Sequence, residues 1–123
     1  MKSTNTAIES KTNQEYCDVF VVGGGPAGAT AANELAIKGV KVILLDKAGR
    51  IKPCGGAIPP KAIRDYKIPD ELLVAKAKCA RMISPKDKKV DMPIDNGFVG
   101  MVDREEFDEW LRERASKNGA KRK

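Results

Sequence analysis

Three glycines with the spacing Gly23-x-Gly25-x-x-Gly28 are the residues whose types and spacing point most directly to chemistry. They follow the apolar run Val19–Val22 and open a segment of helical character. In that context the first glycine permits a tight turn, the second lets a pyrophosphate approach the backbone, and the third lets helix and strand pack closely. Free N–H groups at the start of the helix then meet the anionic phosphates. The pattern predicts a dinucleotide site that needs no cationic side chain.

Asp46 completes this pattern, because it lies 18 residues after Gly28 at the end of a second apolar run, Val40–Leu45. A carboxylate in that place can accept hydrogen bonds from the ribose hydroxyls of an adenosine, and its charge disfavours a 2′-phosphate. The alternative is a glycine-rich turn of an unrelated α/β protein, with Asp46 as an ordinary residue at a strand end. These residues by themselves do not distinguish FAD from NAD.

The two apolar runs and the segment between them predict a βαβ unit. A continuous apolar run is typical of a strand buried on both faces of a parallel sheet, and the right-handed crossover places the second strand beside the first. The connecting helix is expected to begin near Pro26, to end at Gly39, and to pack Ala27, Ala31 and Leu35 on the sheet.

The following segment, KAGRIKPCGGAIPP, has neither helical nor strand periodicity and is long enough to wrap a ligand. Its paired glycines could bring the backbone close to a flavin ring, where the thiol of Cys54 would tune or protonate an intermediate. The alternative is that Cys54 is a small residue packed in a tight loop, since thiol reactivity depends on its surroundings. We expect Cys17 and Cys79 to be packing residues.

Beyond this loop the sequence predicts short helices, a hairpin and a further strand. The expected ranges are helices at 61–65 and 70–75, hairpin strands at 80–84 and 90–94, and a strand at 97–102. Pro93 indicates an edge strand, because proline cannot donate to a sheet ladder.

The last predicted helix starts with a capping box formed by Asp103 and Glu106. It is expected to bury Phe107, Trp110, Leu111 and Ala115, and to end at Gly119, where another strand begins. In this helix Arg104 is either a surface residue of the first turn or a ligand contact, and its position alone favours the former.

Composition excludes several function classes. The 123 residues correspond to one small domain, with 23 Lys and Arg against 17 Asp and Glu. The absence of histidine excludes a Ser-His-Asp or Cys-His nucleophile and a histidine-ligated metal. Three widely spaced cysteines give neither a disulfide framework nor the spacing of a zinc site, so we expect no metal. The basic clusters Lys86, Lys88, Lys89 and Lys121–Lys123 could bind anionic lipid or nucleic acid, but they lack interleaved aromatic residues, which favours a solvated face.

At this point the segments GGGPAGATAA, AGRIKPCGGAIPP, ARMISP and FVGMVDREEFDEWLRERA together resemble the geranylgeranyl reductases of chlorophyll and bacteriochlorophyll synthesis. The resemblance extends from Cys17 to Ala120, and its KPCGGAIP loop is more specific than the nucleotide motif. It implies an α/β, Rossmann-like FAD-binding fold of the p-hydroxybenzoate hydroxylase class, with an added β-hairpin region. It also implies an enzyme that uses NADPH to reduce the geranylgeranyl chain of a pigment or of geranylgeranyl diphosphate to phytyl.

The resemblance also assigns roles to individual residues. Those that would cradle the FAD pyrophosphate are Gly23, Gly25, Ala27 and Gly28, while Asp46 would hold the ribose. Those that would approach the flavin are Cys54, Gly55 and Ala57. Arg104 would also contact FAD, which reverses the interpretation from its position alone.

We therefore expect a disordered leader at 1–17 and, at 18–123, the N-terminal part of an FAD-binding domain that lacks the second flavin segment and the substrate domain. As an isolated chain it is expected to be inactive. The parent is expected at the cytoplasmic face of photosynthetic membranes, as a soluble or peripheral protein. The rival interpretations are another flavin monooxygenase or dehydrogenase of the same fold, and a non-catalytic nucleotide-binding fragment.

Overall fold

A computed structural model describes residues 13–47 and 52–123. Most of the predicted leader, and the beginning of the loop after Asp46, therefore lie outside the described residues. Residues 13–17 contain no helix or strand.

The described chain contains three helices, a short 3-10 turn and eight strands, in an order that starts with the predicted βαβ unit. In chain order the elements are β1 (Val19–Val22), α1 (Pro26–Ile37), β2 (Val42–Leu45), β3 (Ala57–Ile58), α2 (Pro60–Asp65), the 3-10 turn (Asp70–Leu72), β4 (Leu73–Ala77), β5 (Cys79–Ile83), β6 (Lys89–Pro93), β7 (Val99–Val102), α3 (Arg104–Lys117) and β8 (Lys121–Arg122).

The first sheet is parallel and has the strand order β1-β2-β8. Val19 pairs with Val42 and Val22 with Leu45, so β1 and β2 are in register along their whole length. Both strands, their parallel pairing and the strand expected after Gly119 are confirmed. The second strand begins at Val42 instead of Val40 and is therefore shorter than predicted.

Expected burial on both faces of β1 is wrong. Val19 and Val21 pack against the core cluster, whereas Phe20 and Val22 are 53% and 73% exposed. The reason is that the core residues of the helices lie on the side of Val19 and Val21, while Phe20 and Val22 do not belong to the core cluster of the described residues. The apolar run therefore indicates a strand but not burial on both faces, and the face of β1 with Phe20 and Val22 is exposed in the described part of the chain.

Helix α1 begins at Pro26 and ends before Gly39, which has φ +79°, as predicted. Of the three residues expected to pack on the sheet, Leu35 is half-buried against the core, but the two alanines are not. Ala27 and Ala31 are exposed, and the buried residues are Ala29, Ala32, Asn33 and Ala36. Alanines lie on both faces of this helix, so composition alone could not select the packed one.

The second sheet is antiparallel, with the order β3-β7-β4. The helix expected at 70–75 is wrong: after the 3-10 turn the chain enters β4, which pairs with β7. This pairing is long-range, and a local pattern of apolar residues does not reveal it. The hairpin of β5 and β6 forms a separate two-stranded sheet, as predicted, with Pro93 in an edge strand.

Helix α3 closes the core. Asp103 is its N-cap residue and accepts a hydrogen bond from the N–H of Glu105 at 3.0 Å. The predicted capping box implies the N–H of Glu106 as the donor, so the observed donor is one residue earlier. Phe107, Leu111 and Ala115 are buried as expected, and Trp110 is half-buried against them. The helix ends at Lys117, two residues before Gly119.

Candidate functional site

The loop between β1 and α1 adopts the conformation that its glycines permit. Gly23 has φ +105°, and its N–H donates to the carbonyl of Leu45 at 2.8 Å. A Cβ atom at Gly28 would lie 1.8 Å from the carbonyl oxygen of Gly23. The loop and the first turn of α1 can therefore approach each other only if residue 28 is glycine.

Gly25 faces open space instead. It is the N-cap residue of α1, it provides no side-chain hydrogen bond, and a Cβ atom there would meet no heavy atom within 4 Å. Its own carbonyl accepts the N–H of Ala29 at 2.9 Å. The helix N-terminus thus offers backbone donors beside a space that lacks protein atoms, and the residues present fit a phosphate group.

Asp46 lies against this loop. Its Oδ1 accepts the N–H of Gly24 at 2.9 Å, and its Oδ2 lies 3.4 Å from Nη1 of Arg112. The same Nη1 donates to the carbonyl oxygen of Gly24 at 3.0 Å. Sequence reasoning missed both Gly24 and Arg112. The middle glycine of the GGG run, Gly24, was a signal, but Arg112 is 88 residues from Gly24 in sequence, and no local pattern connects them.

Arg112 is itself held by α3 and the neighbouring strand. Its Nε donates to Glu109 at 3.0 Å, and Arg122 on β8 donates twice to the same carboxylate, at 2.8 and 3.1 Å. Hydrogen bonds from Arg122 and then from Arg112 keep the pKa of Glu109 below its ordinary value. One charged network therefore extends from β8 through α3 to the glycine loop.

A cavity of about 590 Å³ adjoins the start of α1. Its lining is mostly apolar and includes Pro26 and Phe107. Of the predicted site residues, the structure brings together at this cavity Ala27, Cys54, Ala57 and Arg104. The space thus begins next to Gly25 and continues between the Cys54 loop and α3.

The remaining predicted residues are placed differently. Gly23, Gly25, Gly28 and Asp46 belong to the loop beside the cavity, and Gly55 lies in the chain between two cavity-lining residues. Exposed Ala27 and Ala31 both line the cavity, which explains why they do not pack on the sheet.

Cys54 is exposed and lies beside the guanidinium of Arg104. The backbone N–H of Gly56 contacts its Sγ at 3.5 Å, and this contact, together with Arg104, lowers the pKa of the thiol. Arg104 also donates twice to Asp108, at 2.8 and 2.9 Å, and the two side chains are only 12% and 11% exposed. This pairing raises the pKa of Arg104, which keeps it charged next to the thiol.

The other two cysteines lie elsewhere. Cys17 is half-buried, but Cys79 is exposed on the hairpin, so the packing role expected for Cys79 is wrong. Across residues 13–47 and 52–123, no group of three or more Cys, Asp or Glu side chains is arranged to hold a metal ion. Over the same ranges no helix has the length and apolar character needed to cross a membrane.

Comparisons of sequence relate the chain to known reductases. Residues 17–119 match the family described as pyridine nucleotide-disulphide oxidoreductase. The geranylgeranyl diphosphate reductase of Rhodobacter capsulatus is 72% identical over 105 residues, which is 85% of this chain and 27% of that protein. The chloroplastic geranylgeranyl diphosphate reductase of Arabidopsis thaliana is 38% identical over 124 residues, which is 98% of this chain and 27% of the relative.

A solved structure agrees with these relatives. The crystal structure of a geranylgeranyl bacteriochlorophyll reductase-like protein from Thermoplasma acidophilum superposes with a TM-score of 0.79 at 30% identity, and the match covers 86% of this chain and 29% of that one. The predicted FAD-binding α/β fold and the resemblance to geranylgeranyl reductases are confirmed. The chain belongs to the pyridine nucleotide-disulphide oxidoreductase family, and within that family it is similar to the geranylgeranyl reductases.

Proposed function

We propose that this chain supplies the FAD-binding part of an NADPH-dependent reductase that converts the geranylgeranyl chain of a (bacterio)chlorophyll, or of geranylgeranyl diphosphate, to phytyl. The observation that carries the proposal is that the glycine loop adjoins the cavity lined by Pro26, Cys54 and Arg104, in a chain that is 72% identical over 105 residues to a geranylgeranyl diphosphate reductase. Bound FAD would supply hydride transfer between NADPH and the prenyl double bond.

The glycine loop, together with Asp46, would bind the pyrophosphate and the ribose of the cofactor. Backbone N–H groups at the start of α1 would hold the pyrophosphate, and the open space at Gly25 would admit it. Asp46 would accept hydrogen bonds from the ribose hydroxyls. The site needs no lysine or arginine on the phosphates, because the helix terminus already presents partial positive charge.

The cavity would orient the cofactor and exclude water from it. Arg104 is fixed by Asp108 and would contact the cofactor, while Ala27 and Ala57 leave room for a flat ring system. Cys54 would lie at the flavin, where the N–H of Gly56 and the neighbouring Arg104 favour its thiolate form. The apolar walls suit a ring system and keep bulk water from the reacting atoms.

The parent enzyme is proposed to work in the cytoplasm, at the surface of photosynthetic membranes, where prenylated pigments are accessible. Basic residues on the hairpin, Lys86, Lys88 and Lys89, support contact with anionic lipid headgroups. We propose no nucleic-acid partner.

A chimera tests the proposal. The segment of the Rhodobacter capsulatus relative that this chain matches would be replaced by this chain, and the reduction of geranylgeranyl diphosphate and of prenylated pigment by NADPH would be assayed. Retained activity on either substrate is expected, because the two sequences are 72% identical across the exchanged segment. A chimera that folds and binds FAD but reduces neither substrate would contradict the proposal.

Two glycine variants of the chimera form a matched pair. A Cβ atom at residue 25 meets no protein atom within 4 Å and the backbone there is extended, so Gly25→Val is expected to fold but to lose bound flavin colour and activity. Gly28→Ala places Cβ against the carbonyl of Gly23 and is expected to lower stability by about 2 kcal/mol or more. Normal flavin binding by the folded Gly25→Val variant would show that the pyrophosphate does not lie at this loop.

A further inference from the structure

We propose that Arg112 is a positioning residue of the nucleotide site, which fixes the carboxylate of Asp46 for the ribose hydroxyls of a bound adenosine diphosphate group. The inference rests on the proposed function, since it assumes that the glycine loop binds a dinucleotide. It adds a residue of α3, 88 positions from Gly24 in sequence, to a site otherwise built by the βαβ unit.

The first argument is geometric. One atom, Nη1 of Arg112, contacts both the carbonyl oxygen of Gly24 at 3.0 Å and Oδ2 of Asp46 at 3.4 Å. Oδ1 of Asp46 accepts the N–H of Gly24 at 2.9 Å. The three groups thus form a closed set of contacts, in which Arg112 determines how the carboxylate lies relative to the loop.

The second argument concerns access. The side chain of Asp46 remains 30% exposed, while that of Arg112 is 17% exposed. A carboxylate offers about four acceptor positions, and the contacts with Gly24 and Arg112 occupy about two of them. The carboxylate therefore has free lone pairs for ligand hydroxyls and is held from the protein side.

The third argument explains the middle glycine, which the dinucleotide pattern leaves unassigned. A Cβ atom at Gly24 would lie 2.8 Å from Cβ and Cγ of Asp46 and 2.9 Å from Cδ of Arg112. Residue 24 must therefore be glycine if both side chains are to reach the loop. The GGG run has one glycine more than the pattern needs because Asp46 and Arg112 occupy the space of its side chain.

Arg112 is held in turn by Glu109, which also receives two hydrogen bonds from Arg122. This support limits the rotamers of Arg112 before any ligand arrives. Ordering the carboxylate in advance lowers the entropic cost of binding the ribose.

The test measures how tightly the 123-residue chain binds ADP and 2′,3′-dideoxy-ADP, which lacks the hydroxyls that Asp46 would bind. The wild-type chain is expected to prefer ADP by about ten-fold or more, as for hydrogen bonds to a charged group. In Arg112→Gln this preference should fall towards one, because the carboxylate is no longer fixed. Arg112→Lys retains the charge and should keep part of the preference.

Two further variants serve as references. Asp46→Asn should lose the preference as Arg112→Gln does, whereas Arg81→Gln breaks an exposed ion pair with Asp91 on the hairpin, outside this network, and should keep it. If Arg112 had a purely structural role, its substitution would weaken the binding of both nucleotides equally. The ratio of the two affinities would then stay at the wild-type value, which would overturn the inference. If Arg112→Gln does not fold, the ratio of the two affinities is measured in Arg112→Lys instead. A ratio equal to that of the wild type in this variant would contradict a positioning role for Arg112.

The outcomes separate this inference from the proposed function. A wild-type chain that binds neither nucleotide, or binds both equally, would overturn the inference, while the chimera assay would still decide the reductase function. A wild-type preference for ADP that Arg112→Gln removes would support the inference even if the chimera reduced no prenyl chain.

Discussion

Gly25 and Gly28 show how two glycines of one pattern act for different physical reasons. At Gly28 the constraint comes from the protein itself, because a side chain would collide with the carbonyl of Gly23. At Gly25 the protein leaves the space of a Cβ atom empty, so the fold does not demand glycine there, whereas a bound phosphate would. A glycine that the fold does not require is the stronger indication of a binding site.

Cys54 is expected to react as a thiolate. The N–H of Gly56 and the guanidinium of Arg104 both favour its ionised form, so its pKa lies below the ordinary value of a thiol. The rate of alkylation by iodoacetamide, followed at each cysteine by mass spectrometry, should reach half its maximum at a lower pH for Cys54 than for a free thiol. In Arg104→Gln this midpoint should move to higher pH.

Cys79, which is also exposed, controls for accessibility in the same sample, and its profile should not change in the Arg104 variant. An identical pH profile of Cys54 in the wild type and in Arg104→Gln would show that Arg104 does not influence the thiol.

Helix α3 connects the parts of the site. Its first turn carries Arg104 to the cavity, and its middle carries Arg112 to the glycine loop. Phe107 and Leu111 lie between them in sequence, line the cavity, and belong to the core. The position of both cationic side chains therefore depends on the burial of one helix face.

Asp108→Asn is expected to destabilise the chain by about 3 kcal/mol, because it leaves the largely buried guanidinium of Arg104 without its charged partner. Urea unfolding followed by circular dichroism measures this change. The matched control is Asp65→Asn, which breaks an i,i+4 pair with Lys61 on the exposed surface of α2 and should leave the unfolding midpoint unchanged. Equal effects of the two substitutions would contradict a structural role for the buried pair.

At the scale of the whole molecule, the hairpin is separate from the body that carries the site. Every residue of β5 and β6 is exposed, and the two strands pair with each other. The ends of the hairpin are adjacent, since the N–H of Ile94 donates to the carbonyl of Lys78 at 2.9 Å. The core, in contrast, is formed by residues of α1, β2 and α3 together with Ile58 of β3 and Val102 of β7.

Replacing residues 79–93 by an Asn-Gly turn should therefore leave the rest of the chain folded. The free energy of unfolding is expected to change by no more than about 1 kcal/mol, because the removed side chains are exposed and the loop becomes shorter. Urea unfolding and ADP titration of the shortened chain measure the effect. Loss of cooperative unfolding would show that the hairpin supports the core.

The sequence by itself determined the elements whose signals are local. The strand before the glycines, the helix after them, the hairpin around residues 85–88 and the cap at Asp103 all follow from neighbouring residues, and all are present. The sequence, with the family resemblance that it carries, also identified four of the residues that line the cavity beside α1: Ala27, Cys54, Ala57 and Arg104.

Only the tertiary structure decided which faces pack and which distant side chains meet. It turned Ala27 and Ala31 to the cavity, left Phe20 exposed, and made β4 a strand by pairing it with β7. It also joined Arg112 to Asp46. The physical reason is that local patterns report backbone preferences over a few residues, whereas packing and ion pairs depend on surfaces that approach each other only after the chain has folded.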